Sequence, residues 1–307
     1  MGSIRDGFHV VTGAFGYTGK YIAQRLLAEG HNVKTLTNHP GRANPFGNQV
    51  AVSPLDFDHP ESLAHAMVGA KVLYNTYWVR FQHGETTFAQ AIANTEKLVR
   101  AAENAGVRRI VHVSIANPSL DSPLPYYCGK AEMEEAIRAS KLSYAILRPT
   151  VVFGTGGILI NNIAWLLRHF PIFAVPGHGD YKLQPIFVED MADLAVAAGE
   201  TNEDVILDAV GPEVFTFDEL VRLIAVHIGG QARLIHVPSE ISLLITRMFG
   251  VAMHDVILTR EEIKGLMANL LVSGSAPTGT TRLSDWLKKY GAQVGTHYAS
   301  ELGLHYR

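Results

Sequence analysis

The stretch Val10-Val11-Thr12-Gly13-Ala14-Phe15-Gly16-Tyr17-Thr18-Gly19-Lys20 constrains the fold more than any other. A short β-branched run leads into it, and a helical pattern, Tyr21 to Leu27, leads out. Strand, glycine turn and helix make half of a dinucleotide-binding βαβ unit. Gly13 permits the sharp exit from the strand. Gly16 lets the backbone approach a pyrophosphate with no Cβ between them, and Gly19 lets the helix lie close to the sheet. The N–H groups at the helix start then face the phosphates, whose charge the helix dipole favours. Phe15, Tyr17 and Thr18, set between the glycines, join Gly13, Gly16 and Gly19 as expected cofactor contacts.

Strand and helix patterns alternate through the first half. Strands are predicted at 8–12, 33–37, 49–52, 71–76, 109–114 and 143–147, and helices at 21–29, 61–67, 86–105 and 130–139. Short apolar strands separated by helices predict an α/β, Rossmann-type, doubly wound parallel sheet. Asp58-His59-Pro60-Glu61 reads as a helix start capped by Asp58. After residue 150 the rhythm changes. Thr216-Phe217-Asp218-Glu219 and Thr259-Arg260-Glu261-Glu262 are capping boxes that start helices of a smaller, mainly helical C-terminal lobe. The organisation expected is a dinucleotide-binding core over 1–150 and a substrate lobe over 151–307. The two interleave, with segments near 184–193 and 205–211 returning to the sheet.

Composition narrows the function classes. Hydrophobic residues make up 47% of the 307-residue chain, enough for a sizeable core. A net charge of −3, with both signs dispersed, argues against a nucleic-acid partner. The single Cys128 and the lack of a secretory signal pattern predict a cytoplasmic protein. Ile241–Met253 is apolar but too short to span a bilayer, and it contains Arg247. No transmembrane segment is expected, and weak peripheral membrane association stays open. Fourteen histidines show no His-x-x-x-His pattern, and one cysteine allows no Cys-x-x-Cys, so no metal is expected.

Tyr126-Tyr127-Cys128-Gly129-Lys130 is the second informative stretch. Residues four apart share a helix face, so Tyr126 and Lys130 can act together. A nearby ammonium favours the phenolate and lowers a tyrosine pKa from its free value of about 10. Tyr127 is the rival tyrosine, at a spacing of three. Ser114 ends a strand that lies upstream, where an open α/β sheet has its ligand crevice. Ser114, Tyr126 and Lys130 are the candidate catalytic residues.

These motifs resemble the short-chain dehydrogenase/reductase superfamily. Thr-Gly-x-x-Gly-x-x-Gly matches Thr12 to Gly19, the form found in the extended and atypical branches. The family's serine, tyrosine and lysine fall on Ser114, Tyr126 and Lys130, and its helix asparagine on Asn94. Arg148-Pro149-Thr150-Val151-Val152-Phe153-Gly154 matches a segment placed beside the nicotinamide, which implies contacts from Pro149 and Val151. Val188-Glu189-Asp190-Met191-Ala192 matches the family's Val-x-Asp-x-Ala segment, and Gly211–Thr216 and Leu258–Glu262 are similar to one atypical subgroup. It holds the NAD(P)-binding accessory subunit of respiratory complex I and free-standing bacterial epimerase/dehydratase-like proteins. The resemblance covers nearly the whole chain and implies a Rossmann fold with a small C-terminal lobe. It also implies that Asp56 and Phe57 flank the adenine.

Cofactor choice is read after the second strand, in Thr37-Asn38-His39-Pro40-Gly41-Arg42. No carboxylate is present there to bind both ribose hydroxyls. Asn38 tolerates a 2′-phosphate and Arg42 can pair with one, so NADP(H) is favoured over NAD(H). Thr76 and Lys130 complete the expected cofactor set. Trp78 to His83 and His178 are candidate pocket residues. Two readings stand. One is an NADP-dependent oxidoreductase acting on a small carbonyl or alcohol, epimerase/dehydratase-like chemistry included. The other is a non-catalytic NAD(P)-binding module, either a redox-sensing regulator or a complex subunit or assembly factor.

Overall fold

A computed structural model of the chain describes residues 7–84 and 86–305. The first elements are β1 (Phe8–Thr12), α1 (Tyr17–Ala28), β2 (Val33–Thr37), β3 (Val50–Pro54), α2 (Pro60–Met67) and β4 (Ala70–Asn75). They continue with α3 (Phe88–Asn104), β5 (Arg109–Val113), α4 (Pro125–Arg138) and β6 (Ser143–Pro149). Next come β7 (Val152–Phe153), α5 (Ile158–His169), β8 (Ile172–Pro176), β9 (Lys182–Leu183), β10 (Ile186–Phe187), α6 (Val188–Glu200) and β11 (Val205–Ala209). The chain continues through β12 (Phe215–Thr216), α7 (Phe217–Ile228), β13 (Arg233–Val237), α8 (Ser239–Met253) and α9 (Arg260–Met267). Two short helices, α10 (Leu283–Tyr290) and α11 (Glu301–His305), follow.

The chain divides into two units, Met1–Pro149 with Met191–Asp208, and Thr150–Asp190 with Ala209–Arg307. The first is built on a seven-stranded sheet in the order β11-β6-β5-β4-β1-β2-β3. β1 pairs in parallel with both β2 and β4, so the strand order reverses between β1 and β4. That switch point is where an open α/β sheet offers a crevice at its C-terminal edge. Residues alternate between the two faces. Val10, Leu73, Ile110 and Ile146 pack beneath α2, α3 and α4. Val11, Val72, Tyr74, Val111 and Ala145 pack against Ile22 and Leu26 of α1 and Ala195 and Val196 of α6. Burial on both faces is why these strands read as continuous apolar runs.

Arg109 ties the late segment to this unit. It is buried at the start of β5, and its guanidinium donates to Ser143 Oγ, Ala198 O, Thr201 Oγ1 and Glu203 O.

The second unit is mainly helical, with three two-stranded sheets. Its core gathers Phe153, Leu167, Val175, Leu183, Leu220, Ile224, Trp286 and Leu287. Capping boxes form at Thr216/Glu219 and at Thr259/Glu262, starting α7 and α9. Asp190 accepts from the N–H groups of Thr280 and Thr281 and from the Thr281 hydroxyl, so it fastens a loop.

Several expectations need correction. The segment 184–193 does not return to the large sheet as a strand, because Ile186–Phe187 pairs with Val152–Phe153 instead. Only Val205–Ala209 enters that sheet. α2 is not capped by Asp58. Its N-cap is His59, and the Asp56 carboxylate holds the Asp58 N–H and His59 Nδ1. α4 begins at Pro125, five residues before the predicted start, since proline suits the first helical position.

Candidate active site

The glycine turn leaves β1 through Gly13, whose φ is +64°. Gly13 N–H donates to Leu36 O at 2.9 Å, and Gly16 N–H donates to Gly13 O at 2.8 Å. Ala14 N–H is held by Thr35 Oγ1 at 3.0 Å. A Cβ at Gly19 would stand 2.3 Å from the Gly13 carbonyl oxygen, which explains why only glycine lets the helix sit this close. Gly16 is the N-cap of α1, and no side chain caps the first turn. The helix therefore presents its first N–H groups as an anion site would.

Thr76 closes the turn from the other side of the switch point. Its hydroxyl donates to Thr12 O at 2.6 Å, and its N–H donates to Thr12 Oγ1 at 2.7 Å. Thr12 Oγ1 donates in turn to Asn75 Oδ1 at 3.2 Å, and Asn75 Nδ2 meets His112 Nδ1 at 3.0 Å. His112 is fully buried, and burial, aided by the Lys130 charge, holds its pKa well below the usual imidazole range. Phe15 lies against Phe46, with ring centroids 6.4 Å apart. The Tyr17 hydroxyl is buried with no hydrogen-bond partner, and burial pushes its pKa up. Thr18 stands in the first turn of α1.

After β2, Asn38 is exposed and Arg42 half-buried, and Arg42 N–H closes a turn onto His39 O at 3.1 Å. Asp56 is exposed and bound to His59, and that hydrogen bond lowers its carboxyl pKa. Phe57 is buried with its ring 4.9 Å from that of Tyr77. Asn94 donates to the Tyr77 hydroxyl at 3.0 Å and accepts from Gln90, so it fixes Tyr77. Pro149 ends β6 and its carbonyl accepts Ala116 N–H at 2.8 Å. Val151 belongs to the second unit, where its carbonyl accepts Ile186 N–H at 2.8 Å. His178 is an exposed residue of that unit.

α4 carries Tyr126 and Lys130 one turn apart, and Trp78 touches both. The Tyr126 ring meets the indole edge-on at 5.6 Å, and Lys130 Nζ sits 4.7 Å from the indole centroid. Phe88 stacks on Trp78 at 5.5 Å and meets Tyr126 edge-on at 5.9 Å. Lys130 is 2% exposed and donates to Val113 O at 3.0 Å. Burial pushes its pKa down to about 7, and the Glu134 carboxylate opposes that shift.

Ser114 departs from expectation. Its hydroxyl donates to Glu134 Oε1 at 2.5 Å. Glu134 is 3% exposed and also binds Arg148, whose Nε lies 3.0 Å from Oε1 and whose Nη2 lies 2.5 Å from Oε2. The Ser114 hydrogen is thus committed to a carboxylate, leaving only oxygen lone pairs for another group. Glu134 was missed at the sequence level, although it continues the four-residue spacing of Tyr126 and Lys130 on the same helix face.

The fold and the glycine turn define a Rossmann-type NAD(P)H-binding protein. Residues 13–156 match the NAD(P)H-binding family. Among curated proteins, the chain is 27% identical to the mitochondrial NADH dehydrogenase [ubiquinone] 1 alpha subcomplex subunit 9 of Arabidopsis thaliana, over 87% of this chain and 71% of that one. It is 28% identical to a ceramide reductase of Caulobacter vibrioides, over 78% of this chain and 76% of that one. Among solved structures, the triphenylmethane reductase of a Citrobacter species complexed with NADP(H) superposes with a TM-score of 0.68 at 21% identity, covering 92% of this chain and 99% of that one. These likenesses place the chain beside NAD(P)-binding Rossmann-type reductases and epimerases in fold, and agree with the resemblance that its motifs carry. No helix among the described residues is long and apolar enough to cross a membrane.

Proposed function

We propose that the chain is an NADP(H)-dependent oxidoreductase acting on a small carbonyl or alcohol. The observation that carries this reading is the placement of Tyr126 and Lys130 on one helix face, both against Trp78. In this reading Gly13, Phe15, Gly16, Tyr17, Thr18, Gly19, Thr76, Asp56, Phe57, Pro149 and Val151 hold the cofactor, and Asn38 and Arg42 favour its 2′-phosphate. The bound nicotinamide supplies or accepts the hydride. Tyr126 gives its phenolic proton to the substrate oxygen during reduction and takes it back during oxidation. Lys130 binds ribose hydroxyls and, once protonated, stabilises the phenolate. Ser114, with its hydrogen on Glu134, accepts a hydrogen bond from the Tyr126 hydroxyl or from a substrate alcohol. The second unit supplies the substrate lobe, and a cytoplasmic setting keeps Cys128 reduced.

The similarity to a complex I subunit favours a second reading, a cofactor-holding module with no turnover. One experiment separates the two. Calorimetry of the wild type and of Gly16→Val with NADPH and NADH is followed by a screen of carbonyl compounds. Tight NADPH binding lost in Gly16→Val, with turnover of at least one carbonyl, supports the enzyme. Binding without turnover supports the module, and tighter NADH than NADPH binding overturns the cofactor preference.

A further inference from the structure

A cluster of ligand-type side chains lies at the N-terminal edge of the large sheet, opposite the end where the glycine turn leaves it. Glu29 follows α1, His31 precedes β2, and Glu200 ends α6. His31 Nε2 stands 3.7 Å from Glu29 Oε2 and 3.7 Å from Glu200 Oε1, and the three atoms lie within 4.8 Å of one another. These separations are too long for hydrogen bonds. The two distances to His31 are close to the roughly 3.3 Å that separates ligand atoms in a tetrahedral site with bonds of about 2.0–2.2 Å, and the exposed Glu200 side chain can swing inward to close the third. We propose that Glu29, His31 and Glu200 bind a divalent cation of the zinc class, with water in the fourth position.

Two surrounding features fit this assignment. Arg25 Nε holds Glu29 Oε1 at 2.9 Å and Asp193 Oδ1 at 3.1 Å, which orients the remaining Glu29 oxygen towards His31. An outer hydrogen bond of this kind fixes a ligating carboxylate in metal sites. The second feature is the Tyr74 hydroxyl. Tyr74 is completely buried, and its hydroxyl has no hydrogen-bond partner. It lies against Gly199, the residue before Glu200, where a Cβ would come within 2.1 Å of it. The carboxylates that act on it are Glu200 and Glu29. A metal-bound water beside these carboxylates supplies the hydrogen-bond partner that Tyr74 lacks. The donor set of one imidazole and two carboxylates, with no thiolate, suits Zn²⁺ or Co²⁺. The cation would clamp the end of α6 to the α1–β2 turn, and the proposal does not rest on any catalytic role.

The test uses the chelator-treated full chain. Cobalt(II) titration is read by visible absorption, zinc(II) titration by calorimetry, and thermal unfolding is followed with and without zinc. The expected result is one cobalt per chain with the intense bands of a low-coordinate site, displaced by zinc. Glu200→Gln, at a side chain 55% exposed, should fold normally and bind at least tenfold more weakly. His31→Gln should not bind. No saturable cobalt band, or unchanged affinity in both variants, overturns the site. A melting temperature that ignores zinc and rises only as pH falls through the imidazole range also overturns it. That outcome assigns the trio to a protonated His31 held between two carboxylates.

Discussion

Ser114 and Glu134 share a hydrogen bond of 2.5 Å inside the first unit, and the same carboxylate is paired with Arg148. Glu134 is therefore a hub. It neutralises a guanidinium, restrains a strand-end hydroxyl, and acts on Lys130 one turn away on the same helix. Replacing it by alanine leaves Arg148 without its carboxylate. Urea unfolding of Glu134→Ala should show a loss of about 3 kcal/mol, the lower part of the range for a broken buried pair because Arg148 is 29% exposed. Ser114→Ala, which removes only a hydroxyl, should lose about 1 kcal/mol. Equal losses in the two variants would show that Arg148 finds another partner.

Gly19→Ala tests the close approach of α1 to the turn. The added methyl meets the Gly13 carbonyl oxygen at 2.3 Å, a backbone atom that does not give way cheaply. Thermal unfolding should show a destabilisation of about 1–3 kcal/mol, and dinucleotide affinity should fall with it. A variant of wild-type stability would mean that the helix can slide outward at little cost.

Lys130 predicts a pH dependence with a definite sign. Its folded pKa of about 7 lies below the unfolded value of about 10.4. Between those values the unfolded chain binds the extra proton, so the Lys130 contribution rises with pH across about 7 to 10. Below pH 7 the penalty for burying the ammonium is fully present. Lys130→Met should be more stable than the wild type at pH 6, and the advantage should shrink towards pH 10. Denaturant midpoints at the two pH values check this, and a pH-independent difference would place the lysine charge in contact with solvent.

Tyr126→Phe should leave NADPH affinity nearly unchanged and lower turnover by about 10²–10⁴-fold on any substrate the screen finds. Full activity in this variant would remove Tyr126 from acid–base chemistry and turn attention to Tyr127.

Trp78 offers an optical readout. Its indole touches Lys130 and Tyr126. Dinucleotide binding should change the intrinsic fluorescence, and Trp78→Phe should abolish most of that change although two other tryptophans remain of the three in the chain. A response that survives in Trp78→Phe would assign it to Trp165 or Trp286.

The parts legible from sequence were those with local, periodic causes. Val10 and Val11, Ile110 and Val111 announce a sheet covered on both faces, and the glycine spacing announces the turn. Thr216 and Thr259 announce helix starts because both halves of a capping box lie within four residues. The parts that escaped depend on distant partners. Glu134 reads as an ordinary helical glutamate until Arg148, on β6, is brought beside it. The segment around Ile186 has strand character, but its pairing with β7 is decided by tertiary packing. Glu29, His31 and Glu200 carry no spacing signature, since Glu200 comes from a helix far along the chain.

Arg109 sets a condition on synthesis. Its guanidinium needs Ala198, Thr201 and Glu203, and the sheet face at Val11 and Val111 needs Ala195 and Val196. A nascent chain emerges from the ribosome N-terminus first. The first six strands thus leave the tunnel with a cation held only by Ser143 and with a bare apolar face. They wait for about fifty further residues that mostly belong to the other unit. The glycine turn is made well before α6 and β11, yet the sheet beneath it closes only when those two elements arrive.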